Sequence, residues 1–118
     1  MLSSIKIEGS NGCLLRQAWI HEPEAYYGVT VANFPNLFIL LGPNTGQGHT
    51  SAILFIEAQV SYTVQCIQEL IKRQKTSLEV KPGAMSQYNE ELQKTLATSV
   101  WAAGCRSWYK AESGKIIW

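Results

Sequence analysis

The chain has 118 residues, of which 46% are hydrophobic and 16% are charged, and its formal net charge is +1. This length fits one domain or part of one, and the composition is that of a folded protein rather than a disordered one. The near-neutral charge gives no electrostatic support for binding to nucleic acid or to an acidic membrane surface. No apolar run reaches the ~18 residues of a membrane span and no signal peptide is visible, so a cytoplasmic location is expected.

The residue types present exclude several kinds of site. All nine acidic residues are Glu, which removes the usual calcium loops and any Asp-oriented catalytic triad. The three cysteines, Cys13, Cys66 and Cys105, are odd in number, far apart and without a C-x-x-C pair. We therefore expect reduced thiols and no metal site.

Short β-elements are predicted before the centre of the chain. Residues 5–15 suggest a β-hairpin, because Asn11-Gly12 is a strong signal for a tight hairpin turn. Residues 25–31 are rich in aromatic and β-branched side chains, which favours an extended segment. Leu37 to Leu41 is an apolar run too short for a helix, so it is predicted to be a strand buried on both faces.

A turn with few side chains follows that predicted strand. Gly42-Pro43 ends the strand, and Gly46 and Gly48 leave the next loop almost bare. Thr50 and Ser51 are typical helix N-cap residues. A strand, a bare loop and a helix N-terminus allow a flat or anionic ligand to approach unpaired backbone N–H groups, so this turn is the strongest functional signal in the sequence.

The rest of the sequence predicts two helices and more short β-structure. Residues 52–71 carry helical periodicity; the first half, which includes Glu57, is predicted to be buried and the second half to lie on a surface. Residues 77–81 suggest a short strand and Pro82-Gly83 a turn, with a second helix beginning at Ser86. Residues 105–110 and 115–118 suggest a C-terminal hairpin. The expected fold class is α/β, or α+β if the chain is a fragment.

The glycine-rich turn matches neither common phosphate-binding signature. Gly42 and Gly48 are one residue too far apart for G-x-x-x-x-G-K-[ST], and G-x-G-x-x-G is absent. The spacing of the glycines alone is compatible with a turn that contacts a ligand and with a turn that is purely structural. Because a helix N-terminus disfavours a charged imidazolium, His49 is expected to be a neutral hydrogen-bond donor or a capping residue rather than a general base. Ser51 lacks the G-x-S-x-G elbow of a nucleophile, so no catalytic residue is assigned.

Several motifs together resemble the C-terminal part of class B flavoprotein monooxygenases, the Baeyer–Villiger and flavin-containing monooxygenases. The motifs are Ala25-Tyr-Tyr-Gly-Val-Thr-Val, Phe34-Pro-Asn-Leu-Phe, Gly42-Pro-Asn-Thr-Gly-Gln-Gly-His-Thr-Ser, Ile56-Glu-Ala-Gln-Val60, and Trp101 with Cys105-Arg-Ser-Trp-Tyr-Lys. The resemblance runs from about residue 5 to residue 118. It implies a piece of a larger fold with two dinucleotide-binding domains.

The resemblance also implies cofactors and site residues. Enzymes of this family use FAD and NADPH to insert one oxygen atom into a ketone or to oxidise a soft heteroatom. The residues implied along the flavin edge are Gly42, Pro43, Asn44, Thr50, Ser51 and Ala52. Trp108 resembles a residue that faces NADP or the substrate pocket, and Arg106 is a weaker candidate.

The family features that hold FAD and NADP by their pyrophosphates do not occur in these 118 residues. We therefore expect residues 1–75 to be the C-terminal portion of an FAD-binding domain, residues 76–118 to be a truncated extension, and the piece alone to bind no flavin and to be inactive. Its partners would be the missing FAD and NADP domains and, in the whole enzyme, a small organic substrate. The low charged fraction slightly favours a surface that faces other protein. Because the predicted central strand and the first half of the long helix need covering protein, a homo-oligomer or an exchange of elements between copies is expected. The alternative is a small ligand-binding or interaction module that uses the same turn.

Overall fold

The structure is a computed structural model that describes residues 5–46, 51–102 and 108–118. The helical elements of these residues are a 3₁₀ turn at Ser10–Gly12 and the helices α1 (Leu15–Ala18), α2 (Ala52–Lys72) and α3 (Pro82–Leu96). Three isolated antiparallel bridges join Glu8 to Leu14, Tyr26 to Thr30 and Lys110 to Ile116. No described residue belongs to a longer strand.

The two long helices lie close to their predicted positions. The predicted helix over 52–71 is confirmed as α2, which runs from Ala52 to Lys72. The second helix begins four residues earlier than predicted, with Pro82 in its first turn. The predicted turn at Pro82-Gly83 is therefore wrong, because proline at the start of a helix loses no intrahelical hydrogen bond and has a suitable φ.

The predicted buried strand Leu37–Leu41 is wrong. The Ile39 N–H donates to the carbonyl of Val29 at 2.8 Å, but pairing stops there. Leu41 adopts a left-handed φ of 54°, and Leu40 and Leu41 are 47% and 39% exposed. The left-handed turn at Leu41 ends the extended segment before it becomes a ladder.

The other predicted β-segments also form less β-structure than the sequence suggests. Residues 77–81 form no strand, and residues 25–31 fold into a tight loop closed by the Tyr26–Thr30 bridge, with Tyr27 and Gly28 both at positive φ. Single bridges stand where the two hairpins were predicted. At the first, Asn11 and Gly12 have φ values of 57° and 74°, the left-handed geometry of a tight hairpin turn. In the second predicted hairpin, residues 105–107 lie outside the described part of the chain.

One hydrophobic core joins the N-terminal segment to α3. Its fully buried members are Leu15, Ala25, Val31, Phe34 and Ile39. Met85 of α3 packs against this cluster, and its sulfur accepts a hydrogen bond from the Ala32 N–H at 3.4 Å. The core therefore fixes the loop segments of residues 25–39, from which the glycine-rich turn leaves.

Candidate functional site

Two glycines, Gly28 and Gly42, let two separate backbone segments approach closely at the turn. A Cβ atom on Gly42 would lie 2.2 Å from the carbonyl oxygen of Gly28. A Cβ atom on Gly28, which has a φ of 68°, would lie 2.1 Å from Cγ2 of Thr45. Both positions therefore need glycine, and the backbone of residues 42–45 is packed directly on the Tyr26–Thr30 loop.

Gln59 ties α2 to both of these segments. It is 5% exposed, its Oε1 accepts a hydrogen bond from the Leu41 N–H at 2.8 Å, and its Nε2 donates to the Tyr27 carbonyl at 3.4 Å. Leu41 and Tyr27 both have left-handed backbone angles, 54° and 52° in φ. One buried amide thus holds two unfavourable backbone conformations in place at the entrance to the turn.

The middle of the turn is held by its own residues and by the C-terminal segment. Thr45 is buried and its hydroxyl donates to the Gly42 carbonyl at 2.7 Å. The Asn44 side chain donates to the Ile116 carbonyl at 2.7 Å, and the Asn44 N–H donates to the Ile117 carbonyl at 3.2 Å. Asn44 therefore fastens residues 116–117, and its donors are engaged within the protein.

The start of α2 lies beside an apolar cavity of about 250 Å³. Its lining consists mainly of apolar and aromatic side chains, contributed by Leu41, Thr45, Gly46, Ala52, Trp101, Trp108, Tyr109 and Trp118. Ser51, at the N-cap position of α2, makes no side-chain capping hydrogen bond, and Ala52 is exposed. The first-turn N–H groups of α2 are thus left without an N-cap side-chain acceptor, next to a cavity wide enough for part of a ring.

Aromatic rings form the far wall of this cavity. The ring centroids of Trp108 and Trp118 are 5.0 Å apart, and those of Trp108 and Tyr109 are 4.3 Å apart. The Trp118 indole also covers Gly46, where a Cβ atom would meet its Nε1 at 2.1 Å. Trp108 itself is 66% exposed, so much of its side chain is accessible beside the cavity.

A charged cluster anchors the last residues to the N-terminal segment. The Lys115 ammonium group is hydrogen-bonded to Glu24 and lies 3.1 Å from a carboxylate oxygen of Glu22. Burial opposes the charge on Lys115, but the hydrogen bonds that its ammonium group donates to Glu24 and Glu22 outweigh this effect and raise the pKa of Lys115. A hydrogen bond with Ser113, followed by those with Lys115, lowers the pKa of Glu22.

The predicted site residues are only partly brought together. Ala52 and Trp108 line the same cavity, and Ser51 is adjacent to Ala52. Gly42, Pro43 and Asn44 form the half-buried turn beneath it. Thr50, together with His49 and Arg106, lies outside the described residues. Glu57 is exposed, which corrects the prediction that it is buried; likewise Ile53 and Leu54 in the first turn of α2 are 65% and 59% exposed.

Sequence reasoning missed Gly28, Gln59 and the contact between Gly46 and Trp118. Gln59 had one visible signal, since it is a polar residue within the apolar first half of a helix. Gly28 lies within the motif of residues 25–31, but that motif does not indicate the close contact, because the need for glycine there comes from Thr45, a residue distant in sequence.

The chain is similar to curated monooxygenases over nearly its whole length. It is 48% identical over 102 residues to a Baeyer–Villiger monooxygenase of Pseudomonas aeruginosa, covering 86% of this chain and 19% of that protein. It is 37% identical over 112 residues to a Baeyer–Villiger monooxygenase of Streptomyces coelicolor, covering 93% of this chain and 22% of that one. The chain thus spans about one fifth of the length of these relatives. No model of a known protein family matches it.

Solved structures agree with the sequence comparison. An oxidized steroid monooxygenase bound to NADP superposes with a TM-score of 0.88 at 27% identity, over 98% of this chain and 22% of that one. The NADP⁺-bound cyclohexanone monooxygenase from Rhodococcus sp. Phi1 gives a TM-score of 0.77 at 31% identity, over 88% of this chain and 19% of that one.

These likenesses define the chain as part of a flavin-dependent oxidoreductase fold. More narrowly, it is similar to one part of Baeyer–Villiger and FAD-binding monooxygenases, and the resemblance seen in the sequence is confirmed. None of the described helices is both long and apolar enough to cross a bilayer.

Proposed function

We propose that this chain is the part of an FAD- and NADPH-dependent monooxygenase that forms one wall of the flavin site, in an enzyme that inserts an oxygen atom into a ketone or oxidises a soft heteroatom. The observation that carries the proposal is the 48% identity over 102 residues to the Pseudomonas aeruginosa enzyme. The free-standing binding module considered from sequence is not favoured by these comparisons. Residues 1–75 would then complete an FAD-binding domain, and residues 76–118 would extend it.

The start of α2 would stabilise the flavin ring by its electrostatics. Thr50, Ser51 and Ala52 would lie along the ring edge, where the first-turn N–H groups and the positive end of the helix dipole favour the negative charge of reduced flavin at N1 and C2=O. The absence of a capping hydrogen bond from Ser51 and the exposure of Ala52 fit that role. When bound, FAD reduced by NADPH supplies the oxygen-activating chemistry.

The turn before α2 would act on the flavin indirectly. Gly42, Pro43 and Asn44 would define the floor of the site, since the donors of Asn44 are already engaged by Ile116 and Ile117. Trp108 would contact NADP or the organic substrate across the cavity that Ala52 also lines.

The isolated chain would not hold FAD, because the sequence has no G-x-G-x-x-G turn for the pyrophosphate. Titration of FAD with the purified chain, followed by flavin fluorescence, is expected to show no submicromolar binding. Saturable quenching in that range would refute this part of the proposal.

A chimera tests the proposed role in the whole enzyme. The matching 102-residue segment of the Pseudomonas aeruginosa enzyme is replaced by that of this chain. We expect the chimera to retain FAD, seen in its absorbance spectrum, and to couple NADPH consumption to ketone oxidation. The same chimera with Trp108→Ala should retain FAD but show a KM for NADPH or ketone raised about tenfold or more, as expected for loss of an aromatic contact. A chimera that retains FAD but does not consume NADPH would contradict the proposal.

A further inference from the structure

Leu41 has a backbone conformation that is unusual for leucine. Its φ of 54° is in the left-handed region, which is unfavourable for a residue with a Cβ atom. Its side chain is 39% exposed and lines the cavity of about 250 Å³ at the start of α2. Residues held in such a conformation need support from their surroundings, and they are often found at ligand sites.

The left-handed angle determines the direction of the Leu41 side chain. Ile39, two residues earlier, is 7% exposed and belongs to the hydrophobic core. In a continuous strand, residues two apart share a face, so Leu41 would lie on the core side with Ile39. Rotation about the N–Cα bond of Leu41 turns its Cβ atom away from that side. The leucine therefore lines the cavity and does not enter the core.

Gln59 of α2 supports this conformation. Its buried side-chain oxygen accepts the 2.8 Å hydrogen bond from the Leu41 N–H, and its nitrogen donates to the Tyr27 carbonyl at 3.4 Å. Gln59 and Ala52 are seven residues apart in α2, so they lie on nearly the same side of the helix, about 10 Å apart along its axis. Because Ala52 lines the cavity directly, one side of α2 both borders the cavity and, through Gln59, positions the leucine in its wall.

The chemistry of the cavity wall fits an uncharged organic molecule. None of the described residues that line it has a charged side chain, and most of them are aromatic or aliphatic. The hydroxyl group of Thr45 is already engaged, since it donates to the Gly42 carbonyl. A wall of this kind discriminates between ligands mainly by size and shape. Of the molecules that the proposed function requires, the ketone fits this wall better than NADP, whose phosphates are charged.

We propose that Leu41 is a specificity-determining residue, which limits the size of the organic substrate that the cavity admits, and that Gln59 is a positioning residue that acts through Leu41. This inference rests on the proposed function, because it needs the cavity to be part of an assembled flavin site. It adds to that function a residue that selects among ketones and a buried amide that holds this residue in place.

The chimera described above tests the role of Leu41 with two ketones of different size, cyclohexanone and 4-phenylcyclohexanone. The measured quantity is the ratio of kcat/KM for the larger ketone to kcat/KM for the smaller one. We expect Leu41→Ala to raise this ratio at least about tenfold, because reducing the isobutyl group to a methyl group makes room for the larger ketone. The matched control is Leu40→Ala, the same substitution at a neighbouring residue that is 47% exposed and does not line the cavity; it should leave the ratio unchanged.

A double-mutant cycle in the same chimera tests whether Gln59 acts through Leu41. Gln59→Leu should change the ratio, because Leu41 loses the hydrogen bond that fixes its conformation. In a chimera that already carries Leu41→Ala, Gln59→Leu should no longer alter the ratio, since the side chain that it positions is gone. Gln59→Met, which keeps the length of the side chain, should behave in the same way and replaces Gln59→Leu if that variant does not fold. A decrease in kcat/KM that is equal for both ketones and in both backgrounds would show a purely structural role and overturn the positioning role of Gln59.

The outcomes separate this inference from the function on which it rests. If the unsubstituted chimera does not retain FAD or does not consume NADPH, the proposed function fails and this inference fails with it. If that chimera is active but Leu41→Ala leaves the ratio unchanged, this inference alone is overturned. The absorbance of bound FAD and circular dichroism show whether each variant has folded.

Discussion

The side chain of Asn44 donates a 2.7 Å hydrogen bond to the carbonyl oxygen of Ile116, 72 positions later in the chain. Because the Asn44 N–H also bonds to Ile117, this one residue connects the glycine-rich turn with the C-terminal segment that carries Trp118. The turn and the aromatic wall of the cavity are therefore expected to order together.

Replacement of Asn44 by glycine tests this connection. Asn44→Gly keeps the left-handed backbone accessible, since Asn44 has a φ of 60°, but it removes the side-chain donor. We expect the amides of Ala111 and Ile117, which pair within the C-terminal segment, to exchange with solvent about tenfold faster, as for loss of about 1–2 kcal/mol. Hydrogen exchange by NMR measures this. Asn33→Gly is the control, because Asn33 is also left-handed, with a φ of 68°, but is exposed; it should leave those amides unchanged.

Gln59→Leu should reduce the free energy of unfolding by about 1–3 kcal/mol. The substitution leaves the Leu41 N–H without its partner and removes the link to the Tyr27 carbonyl. Urea unfolding followed by circular dichroism provides the measurement. Gln65→Leu, on the exposed side of the same helix, is the control and should change stability by less than about 0.5 kcal/mol. Equal stability of the two variants would show that the buried amide is not what holds the turn.

Gly28→Ala should destabilise the chain by at least about 2 kcal/mol. The added methyl group would meet Thr45 at 2.1 Å, and the φ of 68° is unfavourable for alanine. The same substitution at Gly83 is the matched control, because no atom lies within 4 Å of a Cβ there and the residue is in a helix. Gly83→Ala should leave stability unchanged or raise it by up to about 1 kcal/mol. Thermal unfolding of both variants separates steric exclusion from a general effect of replacing glycine.

The Glu22–Lys115–Glu24 cluster predicts a pH dependence of stability. The pKa of Lys115 is raised on folding, so its contribution is present at neutral pH and is lost as pH rises above the ordinary lysine value of 10.5. The pKa of Glu22 is lowered from 4.5, so its contribution is lost as pH falls below that value. Lys115→Met should remove about 1 kcal/mol at pH 7, and the difference from wild type should shrink at both pH extremes. A difference that is constant from pH 3 to pH 11 would contradict the electrostatic origin.

The sequence predicted the elements whose cause is local. Helix α2 has a long periodic pattern, and Asn11-Gly12 has a turn geometry that its own residue types favour. Prediction from the sequence failed where a residue distant in the chain determines the backbone conformation. Leu41 is in an apolar run typical of a strand, but its N–H is taken by Gln59 of α2 and its φ is left-handed. Nothing in residues 37–41 alone indicates that outcome.

In the candidate site, too, some residues were predicted from local motifs, while other contacts depend on residues distant in sequence. The resemblance in the motifs predicted residues along the start of α2 and Trp108, and of these Ala52 and Trp108 line one cavity. The internal engagement of Asn44 depends on the carbonyls of residues 116–117, which no local pattern associates with position 44.

The contact between Gly28 and Gly42 limits how this turn can be redesigned. A library that varies residues 42–46 to admit a new ligand has to keep hydrogen as the side chain at both glycines, since any larger group would push the Tyr26–Thr30 loop away from the turn. Diversity is better placed at Trp108 and Trp118, which reach the same cavity from exposed positions and can change without moving the backbone beneath it.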